Sequence, residues 1–239
     1  MSHKTTYWAV VPAAGVGRRM GSAIPKQYLS LNDRLVIEHT LQRLLGHPKI
    51  KKTLVALSSN DEWWPDTAYA NHAGVIAVDG GVERCHSVLN ALNLLSERAK
   101  DDDWVLVHDA ARPCLRSSDI DHLIEQLNDH PVGGVLGMPV RDTMKRADAT
   151  GQIIETVCRE GLWHAFTPHM FRLGMLRKAL LQALEQGMPV TDEASAIELA
   201  GYLPKLIKGH PDNIKITQPE DLALAAFYLQ SRSDNISIK

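Results

Sequence analysis

Residues 9 to 28 read AVVPAAGVGRRMGSAIPKQY, an apolar run that breaks into small residues and then into cations. Ala13, Ala14, Gly15 and Gly17 put little side chain between backbone and ligand, so main-chain N–H groups can approach a bound group closely. Arg18, Arg19 and Lys26 follow within nine residues. Backbone donors beside clustered cations suit a polyphosphate. Two familiar phosphate loops are excluded. No GK[ST] is present, and the glycines run GxGxxxG, with Met20 where a dinucleotide fingerprint needs its third glycine. Taken alone, the segment also reads as a glycine turn with solvated arginines.

A second constellation is VLVHDAARP, residues 105 to 113. Asp109 stands where an apolar strand ends, the side on which open α/β sheets bind their ligands. A carboxylate there can hold Mg²⁺ or a sugar hydroxyl, and Arg112 can meet a phosphate; a plain turn is the competing reading. In VDGGVERCHSVLNAL, Gly80 and Gly81 permit close approach, while Arg84 and Ser87 fall near a helix start. Loop and capping chemistry explains that pattern equally well. Further on, Lys215 interrupts the apolar NIKIT, TDEAS at 191 to 195 opens a helix, and Arg141, Lys145, Arg146 and Arg159 charge a short-period segment.

The elements that must position these residues follow from periodicity. Strands are predicted at Tyr7 to Val11, Thr53 to Leu57, Gly74 to Val78 and Trp104 to His108. Helices are predicted between them at about 34 to 46, 60 to 71 and 83 to 99. Apolar strands alternating with helices imply a mostly parallel sheet covered on both faces. Residues 138 to 160 break that rhythm and read as a polar β-hairpin arm turning at Ala149-Thr150-Gly151. Such an arm buries little alone, so it is expected to project and to pack on a second subunit. A helix at about 170 to 186 with Gly187 as its cap, one opening at Thr191, strands at 204 to 208 and Asn213 to Ile216, and a last helix with a Thr217 to Glu220 capping box complete the chain. One domain, 1 to 239, is expected.

The 239 residues carry a formal charge of −2, which offers no global positive field to nucleic acid or an anionic membrane surface. The charge is uneven. Residues 1 to 32 hold Lys4, Arg18, Arg19 and Lys26 and no acid, leaving −6 for the remainder. Cys85, Cys114 and Cys158 are far apart and form no CxxC, so reduced thiols in a cytoplasmic protein are expected. The eleven histidines include no HExxH, and no stretch approaches the roughly 18 apolar residues of a membrane span.

With these motifs assembled, the chain resembles the 2-C-methyl-D-erythritol 4-phosphate cytidylyltransferase family. VVPAAGVGRRM, PKQY, DGG, ER, SV, WVLVHDAARP, PVRDTMKR, GLWHAFTP, TDEAS and NIKITQPEDL carry the resemblance along nearly the whole length. The resemblance implies a Rossmann-like nucleotidyltransferase fold, a homodimer joined through the arm, and Mg²⁺ or another divalent cation held at Asp109. It implies CMP transfer from CTP to the sugar-alcohol phosphate with release of pyrophosphate. CTP would lie against Ala13, Ala14, Gly15, Gly17, Gly80, Gly81, Ser87, Asp109 and Ala110. The sugar phosphate would meet Asp109, Arg112, Thr143, Arg159, Thr167, Thr191 and Lys215. Arg19, Lys26, Arg159 and Lys215 would carry the catalysis, Arg19 being the arginine that directly precedes methionine. Some relatives place an acid where this chain has Val82, so base recognition there is assigned to Gly81 alone. The alternatives are a ribitol 5-phosphate cytidylyltransferase and a silent nucleotide-binding regulator.

Overall fold

In the computed structural model, which describes residues 5–15 and 24–234, β1 (Tyr7–Pro12) sends alternate side chains into two apolar layers. Ala9 and Val11 enter one, Trp8 and Val10 the other, and all four are buried. A strand that is apolar on both faces must sit inside a sheet covered on both sides. After β1 come β2 (Ser30–Leu31), β3 (Arg34–Leu35), α1 (Val36–Leu45), β4 (Ile50–Leu57), β5 (Val75–Asp79), α2 (Arg84–Ser96), β6 (Trp104–Val107) and α3 (Ser117–Leu127). Then follow β7 (Gly133–Pro139), β8 (Met144–Ala147), β9 (Ile153–Val157), β10 (Trp163–Arg172), α4 (Leu173–Glu185), α5 (Glu193–Leu199), β11 (Lys205–Lys208) and α6 (Glu220–Asp234).

Seven strands form the main sheet in the order β11-β7-β10-β6-β1-β4-β5. All neighbours are parallel except β10, which runs antiparallel to both β6 and β7. One apolar layer holds Ile37 and Leu41 of α1 with Ile120 and Leu123 of α3. The opposite layer holds Val88 and Leu92 of α2, Leu176 and Leu180 of α4, and Ile197 of α5. The chain leaves β1 toward β4 and β5, then returns to place β6 on the other side of β1. The carboxyl ends of β1 and β6 therefore flank a topological switch point, where such sheets bind ligands.

Four expectations need correction. Residues 60 to 71 form turns and a 3₁₀ helix at Trp64–Asp66, because Pro65 breaks an α-helix there and Asp61 Oδ1 accepts the N–H groups of Trp63 and Trp64. Residues 213 to 216 join no strand; the Ile216 N–H donates to Ala111 O, 2.9 Å. Met170 to Arg172 end β10, so the helix begins only at Leu173. Asp221, not Glu220, accepts the N–H groups of Thr217 and Gln218 before α6. The cap of α4 is as expected, with Gly187 at φ +64.

The arm is present. β8 and β9 form a separate antiparallel pair, turned by Asp148, whose Oδ1 accepts from the Thr150 and Gln152 N–H groups, with Gly151 at φ +85. It carries the exposed Ile153 and Ile154. No helix among the described residues is long and apolar enough to cross a membrane.

Candidate functional site

Asp109 follows the buried β6, and its N–H donates to Thr167 Oγ1 on β10, 3.0 Å away. Three cations converge on its carboxylate, Arg84 and Lys215 from distant parts of the chain and Arg112 from three residues on. Arg84 Nε, on the first turn of α2, lies 3.0 Å from Oδ1, while Lys215 Nζ and Arg112 Nε lie 2.8 and 3.4 Å from Oδ2. Burial alone would raise the Asp109 pKa, but Arg84, Lys215 and Arg112 hold it far below the ordinary carboxylate range. Asp109 is therefore an anion at any physiological pH.

The cations are themselves anchored. Arg84 Nη1 and Nη2 donate to Glu193 Oε1 and Oε2 at 2.7 and 3.1 Å. Glu193 is fully buried and also faces His169 Nδ1 at 2.8 Å. Burial pushes the Glu193 carboxyl up, yet Arg84 and His169 bring it down to about 2. Burial likewise opposes the Arg84 charge, and Glu193 with Asp109 more than offsets that. Arg112 donates through Nη1 to Asn213 O, 2.8 Å, and Asn213 Nδ2 donates to Thr167 O, 2.7 Å. The segment that carries Lys215 is thus fastened to the strand behind Asp109.

Across from Asp109 stands the loop after β1. Gln27 Nε2 donates to Ala13 O and Gly15 O at 2.7 and 3.0 Å, which fixes the loop from inside. The Ala13 N–H is already bonded to Ala56 O, 2.8 Å, and so is not available to a ligand. Lys26 Nζ donates to Ile216 O, 2.9 Å, beside Lys215. Gly80 lies against the loop so tightly that a Cβ on it would stand 2.4 Å from the Ala14 Cβ. The Gly81 N–H donates to Ser87 Oγ, 3.0 Å. Here the small residues are needed for contact between the two loops.

Together these groups enclose a cleft of about 310 Å³ between Ala13 to Gly15, Lys26 and Gln27 on one side and Gly81, Arg84, Ser87, Asp109, Ala110 and Lys215 on the other. A larger depression of about 1220 Å³ lies at the opposite end of the sheet, beside Lys100 to Asp103 and Arg172, and shares no residue with it. Of the residues expected at the sugar phosphate, only Asp109 and Lys215 line the cleft. Thr167 and Arg112 are buried behind it and position Asp109. Thr191 is exposed before α5, its N–H donating to Ser195 Oγ. Thr143 and Arg159 stand on or beside the arm, where Arg159 donates to Arg141 O, away from the cleft. Gly17, Arg18 and Arg19 lie outside the described residues. Gln27, Glu193, His169 and Asn213 were missed, since nothing in their local spacing marks them. Arg84 had only its place near a helix start as a signal.

The family model for 2-C-methyl-D-erythritol 4-phosphate cytidylyltransferase matches residues 7–231. The chain belongs to this family. A Vibrio vulnificus cytidylyltransferase of that name is 55% identical over 230 residues, 96% of this chain and 97% of its own. The crystal structure of the Francisella tularensis cytidylyltransferase superposes with a TM-score of 0.82 at 37% identity, covering 94% of this chain and 100% of that one. The corresponding Thermus thermophilus structure gives 0.77 at 28% identity over 95% and 100%. As a family member the chain has the α/β nucleotidyltransferase fold, with Asp109 at its switch point.

Proposed function

We propose that this cytidylyltransferase-family chain transfers CMP from CTP to 2-C-methyl-D-erythritol 4-phosphate, releasing pyrophosphate and 4-diphosphocytidyl-2-C-methyl-D-erythritol. The observation that carries the reading is the convergence of Arg84, Arg112 and Lys215 on Asp109 at the cleft, with Lys26 alongside. Both substrates are polyanions, so repulsion is a dominant obstacle and preorganised cations lower it.

A phosphate oxygen of the acceptor attacks the α-phosphorus in line. The bond to the bridging oxygen of the β-phosphate breaks, and that oxygen leaves with the electron pair as pyrophosphate. Lys26, with Arg19, stabilises the α-phosphoryl charge and the leaving group. Lys215 and Arg159 hold the acceptor phosphate. The attacking oxygen is already ionised, so no general base is required. His108 is unsuited to that task in any case: burial lowers its pKa to about 4, and its ring nitrogens face Thr167 Oγ1 and Arg112 O at 2.9 and 3.0 Å.

A carboxylate already facing three cations fits Mg²⁺ only when the triphosphate brings the ion, with Asp109 as its protein ligand. There the ion would neutralise phosphate charge and orient the triphosphate. Thr143 and Arg159 stand outside their own cleft, and the arm exposes Ile153 and Ile154. These support a homodimer in which each arm completes the other subunit's acceptor site. Acceptor-dependent pyrophosphate release from CTP tests the reading; release without an acceptor, or none with it, contradicts it.

A further inference from the structure

The start of α2 carries three donors that the transfer reaction does not use. Cys85 Sγ lies 3.7 Å from Glu83 Oε2 and 4.0 Å from His86 Nδ1, and donor atoms of all three residues fall within 4.8 Å of one another. A tetrahedral Zn²⁺ with the usual bond lengths sets a sulfur and a nitrogen ligand roughly 3.5 Å apart. The thiol and imidazole therefore need to close by only about half an ångström to share one ion. Thiolate, imidazole and carboxylate together favour Zn²⁺, whereas Mg²⁺ prefers an all-oxygen shell.

The local setting supports an ion. Glu83 is the N-cap residue and Cys85 sits in the first turn, where the helix dipole favours a carboxylate; burial and the neighbouring Glu83 raise the Cys85 thiol, so the ion itself displaces the thiol proton on binding. Cys85 is buried, His86 is half-buried and Glu83 is exposed, so a cation has a route in from solvent. The backbone is rigid at this point. His86 packs so closely on Gly81 that a Cβ there would lie 2.3 Å from its own, and Ser87 Oγ bridges the Gly81 N–H and Glu83 O. Glu83 also borders the nucleotide cleft.

We propose that Glu83, Cys85 and His86 form a Zn²⁺ site at the rim of the nucleotide cleft, with water in the fourth position. The site is distinct from Asp109 and does not depend on the enzymatic reading.

Co²⁺ titration of the full chain tests it, because a cobalt–thiolate bond adds a charge-transfer band. The parent is Cys158→Ser, which removes the exposed competing thiol. One Co²⁺ per chain is expected, with the band, and Zn²⁺ displaces it. Cys85→Ser abolishes the band. His86→Ala and Glu83→Gln each weaken binding about tenfold or more, since losing even an outer partner of a ligand costs that much. These two variants decide the matter if Cys85→Ser fails to fold. No band in the parent, a band retained without Cys85, or unchanged affinity in both other variants overturns the site.

Discussion

Arg84 and Glu193 hold each other by two hydrogen bonds, 2.7 and 3.1 Å long, although one sits on α2 and the other on α5. The same guanidinium reaches Asp109 through Nε. A carboxylate that never touches the cleft therefore sets the direction of a cation that does. Among the described residues, helix α5 reaches the cleft through this pair.

Glu193→Ala leaves Arg84 partly buried without its main partner. The expected loss is about 3 kcal/mol, the low end for breaking a buried pair, because Asp109 and some solvent remain. Urea unfolding measures it. Arg84→Ala combined with Glu193→Ala should cost clearly less than the two single losses added. Additive losses would show that the pair is not coupled.

Lys26→Ala removes a cation at the cleft edge with little burial lost. By analogy with an oxyanion-hole donor, about 2.7 to 4 kcal/mol of barrier stabilisation disappears, a fall of about 10² to 10³ in kcat. Near-normal turnover by a folded variant would remove Lys26 from the mechanism.

His108 makes stability sensitive to mild acid. Its folded-state pKa of about 4 lies below the ordinary 6.5, so the unfolded chain binds more protons as pH falls. Stability is complete above about 7 and is lost as pH falls toward 4, by about 2 kcal/mol at pH 5. Glu193, held at about 2 rather than 4.5, adds its own loss only below about pH 4.5. His108→Gln should therefore be less stable at pH 7 yet lose about 2 kcal/mol less between pH 7 and 5 than the wild type. Equal losses in the two proteins would contradict this.

Arg159→Ala should raise KM for the sugar phosphate with little change for CTP, because the arm is assigned to the acceptor. Mixing subunits carrying Arg159→Ala with subunits carrying Lys26→Ala should restore part of the activity, since one of the two shared sites in each mixed dimer is intact. No recovery after verified subunit exchange would place both residues in one subunit's site.

Much of this architecture was legible because β6, the middle of β1 and residues 54 to 57 of β4 are buried on both faces and apolar without a break. Strand β10 was harder to read. Pro168 interrupts WHAFTPHMFR, its pairing with β7 shifts register between Ala165 and His169, and its Thr167 and His169 serve the site rather than solvent. The NIKI alternation suggested a strand, but the segment is tied by Asn213, Lys26 and Arg112 instead of by a ladder. That leaves Lys215 beside Asp109. Asp109, Lys26 and Lys215 could be picked out individually, whereas the Arg84–Glu193–His169 chain exists only through tertiary packing.

Pyrophosphate release from CTP and Mg²⁺ with 2-C-methyl-D-erythritol 4-phosphate, run beside ribitol 5-phosphate and beside the Lys26→Ala variant, separates CMP transfer to this acceptor from its alternatives. Rapid release is expected with the first acceptor, little with the second, and a fall of about 10² or more in the variant. Equal or faster release with ribitol 5-phosphate, or CTP binding with no turnover on either acceptor, would contradict that transfer.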